Sequence, residues 1–277
     1  MLIRIGYDIA FDLPAATPMH VLLNVHPSQL AKIRQPECLR VYPEVPIKYF
    51  TDQFGNTCGR LVAQPGNVRF YNEAIVEDAG VQDDADFYAP QHPVEDLPQD
   101  TLQFLLASRY CEVDLMKDIA WRLFGNTPPN YFRAKQICEW VHNHITFGYH
   151  HASMARTAMG AYNERVGVCR DFTQLAITLS RAMNIPARYA TGYLGDIGVP
   201  VDPNPMDFSA WYEVYLGGRW WTLDARHNAY RIGRVLMARG RDAVDCALTT
   251  AYGFTQLRKF VVVTQEIGPG SLPAIAV

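Results

Sequence analysis

Apolar and polar residues alternate through the N-terminal third of the chain. IRIGYDIAFDL alternates from Ile3, HVLLNV is a short apolar run, FTDQFGNTCGRLVA sets Gly-Asn between two candidate strands, and VRFYNEAIVED alternates again from Val68. A period of two places successive side chains on opposite faces, so this stretch predicts an antiparallel β domain over residues 1–95. The polar, proline-bearing segment YAPQHPVEDLPQD, Tyr88 to Asp100, predicts a linker.

Beyond it the period changes to that of a helix. TLQFLLASRYC and LMKDIAWRLFG carry helical apolar spacing, and YFRAKQICEWVHNHI starts just after Pro128-Pro129. A fourth helix is predicted from Cys169 by Phe172, Leu175, Ala176, Leu179, Ala182 and Met183, with Pro186 ending it. ARYATGYL, AWYEVYL, RWWTLD and KFVVVTQEI then predict strands, and Gly217-Gly218 supplies a two-residue hairpin turn between the second and third. Helices followed by an antiparallel sheet predict an α+β domain over residues 96–277, with the Cys169 helix packed on the sheet and Trp211, Trp220 and Trp221 as core residues. The acidic, proline-bearing stretch from Asp196 to Phe208 is too long for a simple turn and predicts a cleft wall beside Cys169.

Composition narrows the function classes. At 277 residues and 49% apolar content the chain can bury a sizeable core, and a net charge of −3 argues against a nucleic-acid partner. Arg231, Arg234, Arg239 and Arg241 cluster, but Asp242 and Asp245 follow at once, which predicts a solvated or salt-bridged surface segment. MLIRIGYDIAFDL does not read as a signal peptide, and no apolar run has the length of a membrane span. The six cysteines lack paired spacing, which predicts reduced thiols and a cytoplasmic setting. His142, His144, His150 and His151 crowd together without an H-x-x-x-H pair or a nearby cysteine, and no calcium loop is present, so neither a metal nor another cofactor is expected.

The chemistry concentrates in GVCRDF. At the start of a helix the first N–H groups lack intrahelical partners and the dipole is positive, so a Cys169 thiolate is favoured there, and thiolate is the nucleophile of cysteine catalysis. The alternative is a buried cysteine in a core helix. Asp224, at the end of the second hairpin strand, has the position of a carboxylate that orients an imidazole.

Three segments in order, GVCRDF, IPARYATGYL and AWYEVYLGGRWWTLDARHN, resemble the transglutaminase-like superfamily, a papain-like group with Cys, His and Asp in that order along the chain. The resemblance covers roughly residues 100 to 265 and extends to bacterial members with an N-terminal β domain. It implies a Cys169 thioester enzyme acting on protein or peptide amides by hydrolysis or by transfer to an amine, with Asp224 as the acid. The chain departs from the pattern at one position: where the family has its histidine, just before Ala-Trp, stands Ser209. A serine hydroxyl does not accept a thiol proton near neutral pH. His227 is the nearest substitute base, provided a turn at Ala225-Arg226 brings it back to Asp224's face; His142, His144, His150 and His151 are further candidates. Two classes therefore stand, a cysteine enzyme and a protein- or peptide-binding module on the same fold with its chemistry lost.

Overall fold

The computed structural model describes residues 1–268. In chain order, β1 (Leu2–Leu13), β2 (Thr17–Val21), β3 (Ile33–Gln35), β4 (Arg40–Tyr42), β5 (Lys48–Thr51), β6 (Thr57–Ala63) and β7 (Gly66–Glu77) come first. Helices α1 (Val113–Phe124) and α2 (Tyr131–His144), the short β8 (Thr146–Phe147), α3 (Ala158–Glu164), β9 (Val166–Gly167) and α4 (Cys169–Ala182) follow. The chain then runs through β10 (Ala187–Tyr193), β11 (Ser209–Leu216), β12 (Arg219–Leu223), β13 (Val235–Gly240), β14 (Thr249–Ala251) and β15 (Gln256–Ile267). The architecture is α+β with antiparallel main sheets; only the short β8–β9 pair is parallel.

The N-terminal region builds two sheets, ordered β15-β1-β7-β3 with β4 also on β7, and β14-β2-β6-β5. Their inward residues, among them Ile3, Ile5, Ile9, Met19, Leu61 and Phe70, share one core. Its chemistry is not wholly apolar. Glu37 accepts the Val25 N–H at 2.9 Å and the Asn72 amide at 3.1 Å, and burial pushes its carboxyl up to about 7. A carboxyl raised in the folded state stabilises the fold below its unfolded value, and that contribution is lost as pH rises through the folded one. Wild type is therefore expected to lose stability relative to Glu37→Gln between about pH 4.5 and pH 7. Denaturant melts at pH 5 and pH 8 check this, and parallel pH profiles would refute it.

The second region packs α1, α2 and α3 around α4, which lies on the sheet β12-β11-β10-β13. From Asp171 onward every α4 residue is buried, the helix being enclosed by the other helices on one side and β11 on the other. Asn184 at φ 60° and Pro186 end the run. The β11–β12 hairpin turns at Gly217 and Gly218, both at positive φ (57° and 83°), as a two-residue turn of mirror type requires. Trp211 and Trp221 are buried, whereas Trp220 is half-buried beneath Arg188.

Several expectations are corrected. KFVVVTQEI does not close the α+β sheet: β15 pairs with β1 from Leu2↔Ile267 onward and β14 pairs with β2, so the chain returns to the first region after residue 248. A split at 95/96 thus misses a crossing that sequence periodicity does not encode, because a strand's pattern states its faces and not its partner. The two cores also touch through β13, whose Val235 and Met237 join the N-terminal core. TLQFLLASRYC is not an α-helix. Gln99–Leu105 forms a seven-residue 3-10 helix, tighter at three residues per turn, that buries Thr101 and Phe104, three positions apart. The linker segment is docked rather than free: the Ala89 carbonyl accepts the Tyr131 N–H at 2.9 Å and the Pro90 carbonyl the Gly217 N–H at 2.8 Å. The arginine cluster is salt-bridged, to Asp196, Asp83, Asp224, Glu213 and Asp245, but it is not a surface segment throughout, since Arg231 is 5% exposed and β13 is largely buried. Among the described residues no helix is long and apolar enough to cross a membrane.

Candidate active site

Cys169 is the first residue of α4 and is half-buried. The helix start is fixed from inside: the Asp171 carboxylate accepts the Val168 N–H at 2.8 Å and faces Arg156 at 3.2 Å. Gly167 is needed for room, because a Cβ there would lie 2.6 Å from that of Asp171. The Ala210 backbone, one residue past Ser209 on β11, favours the ionised form of the thiol. Its ionisation departs from the helix-dipole expectation. Burial pushes the thiol up to about 11, the Asp207 and Asp224 charges act the same way, and Arg226 and the Ala210 N–H oppose them. The resting site therefore holds a thiol and not a preformed thiolate.

Asp224 follows the last residue of β12 and is 3% exposed. The chain then turns at Ala225-Arg226, and the turn brings His227 back. Asp224 Oδ1 accepts the His227 N–H at 3.0 Å, and Oδ2 faces His227 Nδ1 at 2.9 Å. His142 braces this turn from α2, its Nδ1–H donating to the Arg226 carbonyl at 2.9 Å. Arg234 Nη2 donates to the same Asp224 Oδ2 at 3.0 Å, while its Nε donates to Asp83 at 2.9 Å. Burial alone would raise Asp224, but Arg234 and the His227 hydrogen bonds more than offset it and hold the carboxyl well below the usual range. An ionised Asp224 requires the proton on His227 Nδ1, which leaves Nε2 as the imidazole's acceptor.

Ser209 begins β11 opposite Gly192. Its carbonyl accepts the Thr191 hydroxyl at 2.9 Å, and its own Oγ is buried without a partner among the described residues. Ser209 and His227 line one cavity of about 120 Å³ with Tyr149, Asp207 and Arg226, walled by the segment from Leu194 to Asp207. Asp196, Val201, Asp202 and Asn204 to Asp207 of the expected wall line this cavity, and Cys169 is not one of its lining residues. Arg226 lies over the Phe147 ring at 4.0 Å and reaches Asp202 at 3.7 Å. A larger cavity, about 550 Å³, sits on the outer face of β1 and β7 between Arg4, Asp8, Arg69 and Glu73, and none of these site residues lines it.

The remaining histidines go elsewhere. His144 packs against both Trp140 and Tyr162 and donates from Nε2 to the Tyr162 carbonyl at 2.7 Å, and His150 and His151 pack on each other. Among the described residues no group of three or more His, Cys, Asp or Glu is placed to hold a metal ion. Sequence reading missed Arg234, Arg226, Asp207 and the Ala210 N–H. The first two stood in view as basic residues, yet their partners Asp83 and Asp202 lie far off in sequence or in an irregular loop, and no local pattern pairs them.

Comparison with known proteins bears on the fold. A sequence model of the transglutaminase-like superfamily matches residues 117–225. The uncharacterized protein ML0607 of Mycobacterium leprae is 29% identical over 119 residues, 39% of this chain and 41% of that relative, so the shared stretch spans less than half of it. A crystal structure from Cytophaga hutchinsonii, described as a candidate cysteine protease, is 29% identical with a TM-score of 0.83, covering 99% of this chain and 93% of the other. The matched segment contains Cys169, Ser209 and Asp224 and stops two residues short of His227. The helix, the hairpin and the sequence match agree: residues 117–225 are similar to the transglutaminase-like superfamily, and the fold is similar to that of the Cytophaga hutchinsonii protein.

Proposed function

We propose that this protein is a cysteine enzyme acting on protein or peptide amides through a Cys169 thioester, with His227 as base, Asp224 as its orienting acid, and Ser209 taking no part in proton transfer. The observation that carries the reading is the Asp224–His227 pair, which leaves Nε2 as the free imidazole acceptor on a residue that lines one cavity with Ser209 and Asp207. In the proposed reaction the Cys169 sulfur attacks the amide carbonyl carbon and the thiol proton passes to His227 Nε2. The C–N bond then breaks, the departing amine takes that proton, and water or a second amine cleaves the thioester. The likeness to the Cytophaga hutchinsonii protein favours hydrolysis of peptide bonds. The six unpaired cysteines suit a reducing compartment such as the cytoplasm.

A second reading, a protein- or peptide-binding module, is favoured by one observation, the thiol pushed up to about 11 with serine in the histidine position. A mixed peptide-amide library incubated with the protein and quenched in acid decides between them. The expected result is an acyl adduct on the peptide bearing Cys169, and no turnover by Cys169→Ala. Turnover that survives Cys169→Ala would remove the enzyme reading built on this thiol.

A further inference from the structure

The charges lining the cavity that Ser209 and His227 share do not balance. Arg226 lies 3.7 Å from Asp202, Arg231 lies 3.6 Å from Asp196, and His227 is held by Asp224 at 2.9 Å. Asp207 lines the same cavity and forms no ion pair among the described residues. Burial raises its carboxyl, as expected of an anion short of a counter-charge, and Arg226 only partly offsets this from a distance. Beside it Ser209 is 5% exposed, and its Oγ has no partner among the described residues. A half-buried carboxylate and a buried, unpartnered hydroxyl each cost desolvation free energy that a suitable donor would recover.

We propose that Asp207 and Ser209 form a subsite for a cationic group, the ammonium or guanidinium of a Lys or Arg side chain next to the scissile amide. The assignment of that group to a substrate rests on the cysteine-enzyme reading; the subsite itself does not. Asp207 supplies the ion pair, Ser209 Oγ accepts one N–H, and the small serine leaves the volume the cation fills. A cation seated there also removes the Asp207 charge that disfavours the Cys169 thiolate, so binding would ease ionisation of the nucleophile.

The test titrates methylguanidinium and ethylammonium, with N-methylurea as the neutral counterpart, into the full chain while following the Ser209 and Ala210 amide resonances. Saturable shifts are expected from the cations at roughly tenfold lower concentration than from N-methylurea. Asp207→Asn is expected to erase that difference and Cys169→Ala to keep it. Should Asp207→Asn not fold, Ser209→Ala keeps the charge and is expected to weaken the cations by about threefold. An equal response to charged and neutral probes, or a preference that survives Asp207→Asn, overturns the subsite. Turnover is read separately, on peptide amides carrying Lys or norleucine beside the cleaved bond, with a KM preference of about tenfold for Lys expected. Cation binding with no turnover keeps the subsite and removes the enzyme; turnover without a Lys preference keeps the enzyme and overturns the assignment of the cation to a residue beside the scissile amide.

Discussion

His227→Ala is expected to lower peptide-amide turnover by about 10²–10⁴-fold, the contribution of a positioned base. The size follows from the tautomer. Asp224 stays ionised under Arg234, its Oδ2 fixes the proton on His227 Nδ1 at 2.9 Å, and Nε2 is left as the one acceptor on that ring. Ser209→His is the decisive companion. With His227 serving, a second imidazole at position 209 changes turnover by no more than a few-fold. A silent wild type that gains thiol-dependent activity on Ser209→His would instead mean that the fold and acid are kept while the base is lost, and the natural chain would then be a binding module. Steady-state turnover of the three proteins, with Cys169→Ala as blank, separates these outcomes.

Gly192→Ala is expected to cost at least about 3 kcal/mol, lowering the melting temperature by roughly 6–12 °C. Gly192 lies in β10, between β11 and β13, at the point where the β10–β13 register shifts. A Cβ there would sit 2.1 Å from the Val235 carbonyl oxygen and 2.9 Å from the Met237 nitrogen. Those atoms are backbone and cannot swing aside. Moving β13 would withdraw Val235 and Met237 from the N-terminal core, where they are 1% exposed. Gly218→Asn, in open space at φ 83°, is expected to cost under about 1 kcal/mol and serves as contrast. Thermal melts measure both, and a Gly192→Ala loss below 1 kcal/mol would contradict the packing described.

The legible parts of the sequence were those whose physics is local. The α4 helix announced itself by apolar spacing and by Pro186, and the hairpin by alternation around Gly217-Gly218. The turn that returns His227 to Asp224 stood in the sequence only as a possibility, since its brace, the His142 bond to the Arg226 carbonyl, comes from a residue 84 positions away. Arg234 was read as surface because charge in sequence says nothing of a buried partner, and Asp83, 151 positions earlier, is that partner. The thiol was read as acidic from its helix end alone. The structure surrounds it with carboxylates and apolar packing, and these outweigh the dipole.

The pairing of β1 with β15 bears on how the molecule is made. β1 finds β7 as soon as residue 77 has been synthesised, but its other edge stays bare until Gln256–Ile267 leaves the ribosome. For most of translation a twelve-residue strand with Ile3, Ile5 and Ile9 on its inner face offers open hydrogen-bonding groups to any neighbouring chain. The catalytic-type region is thus threaded through a clasp that closes only after that region has been synthesised. A chain cut before β15 would keep Cys169, Asp224 and His227 yet leave that clasp open.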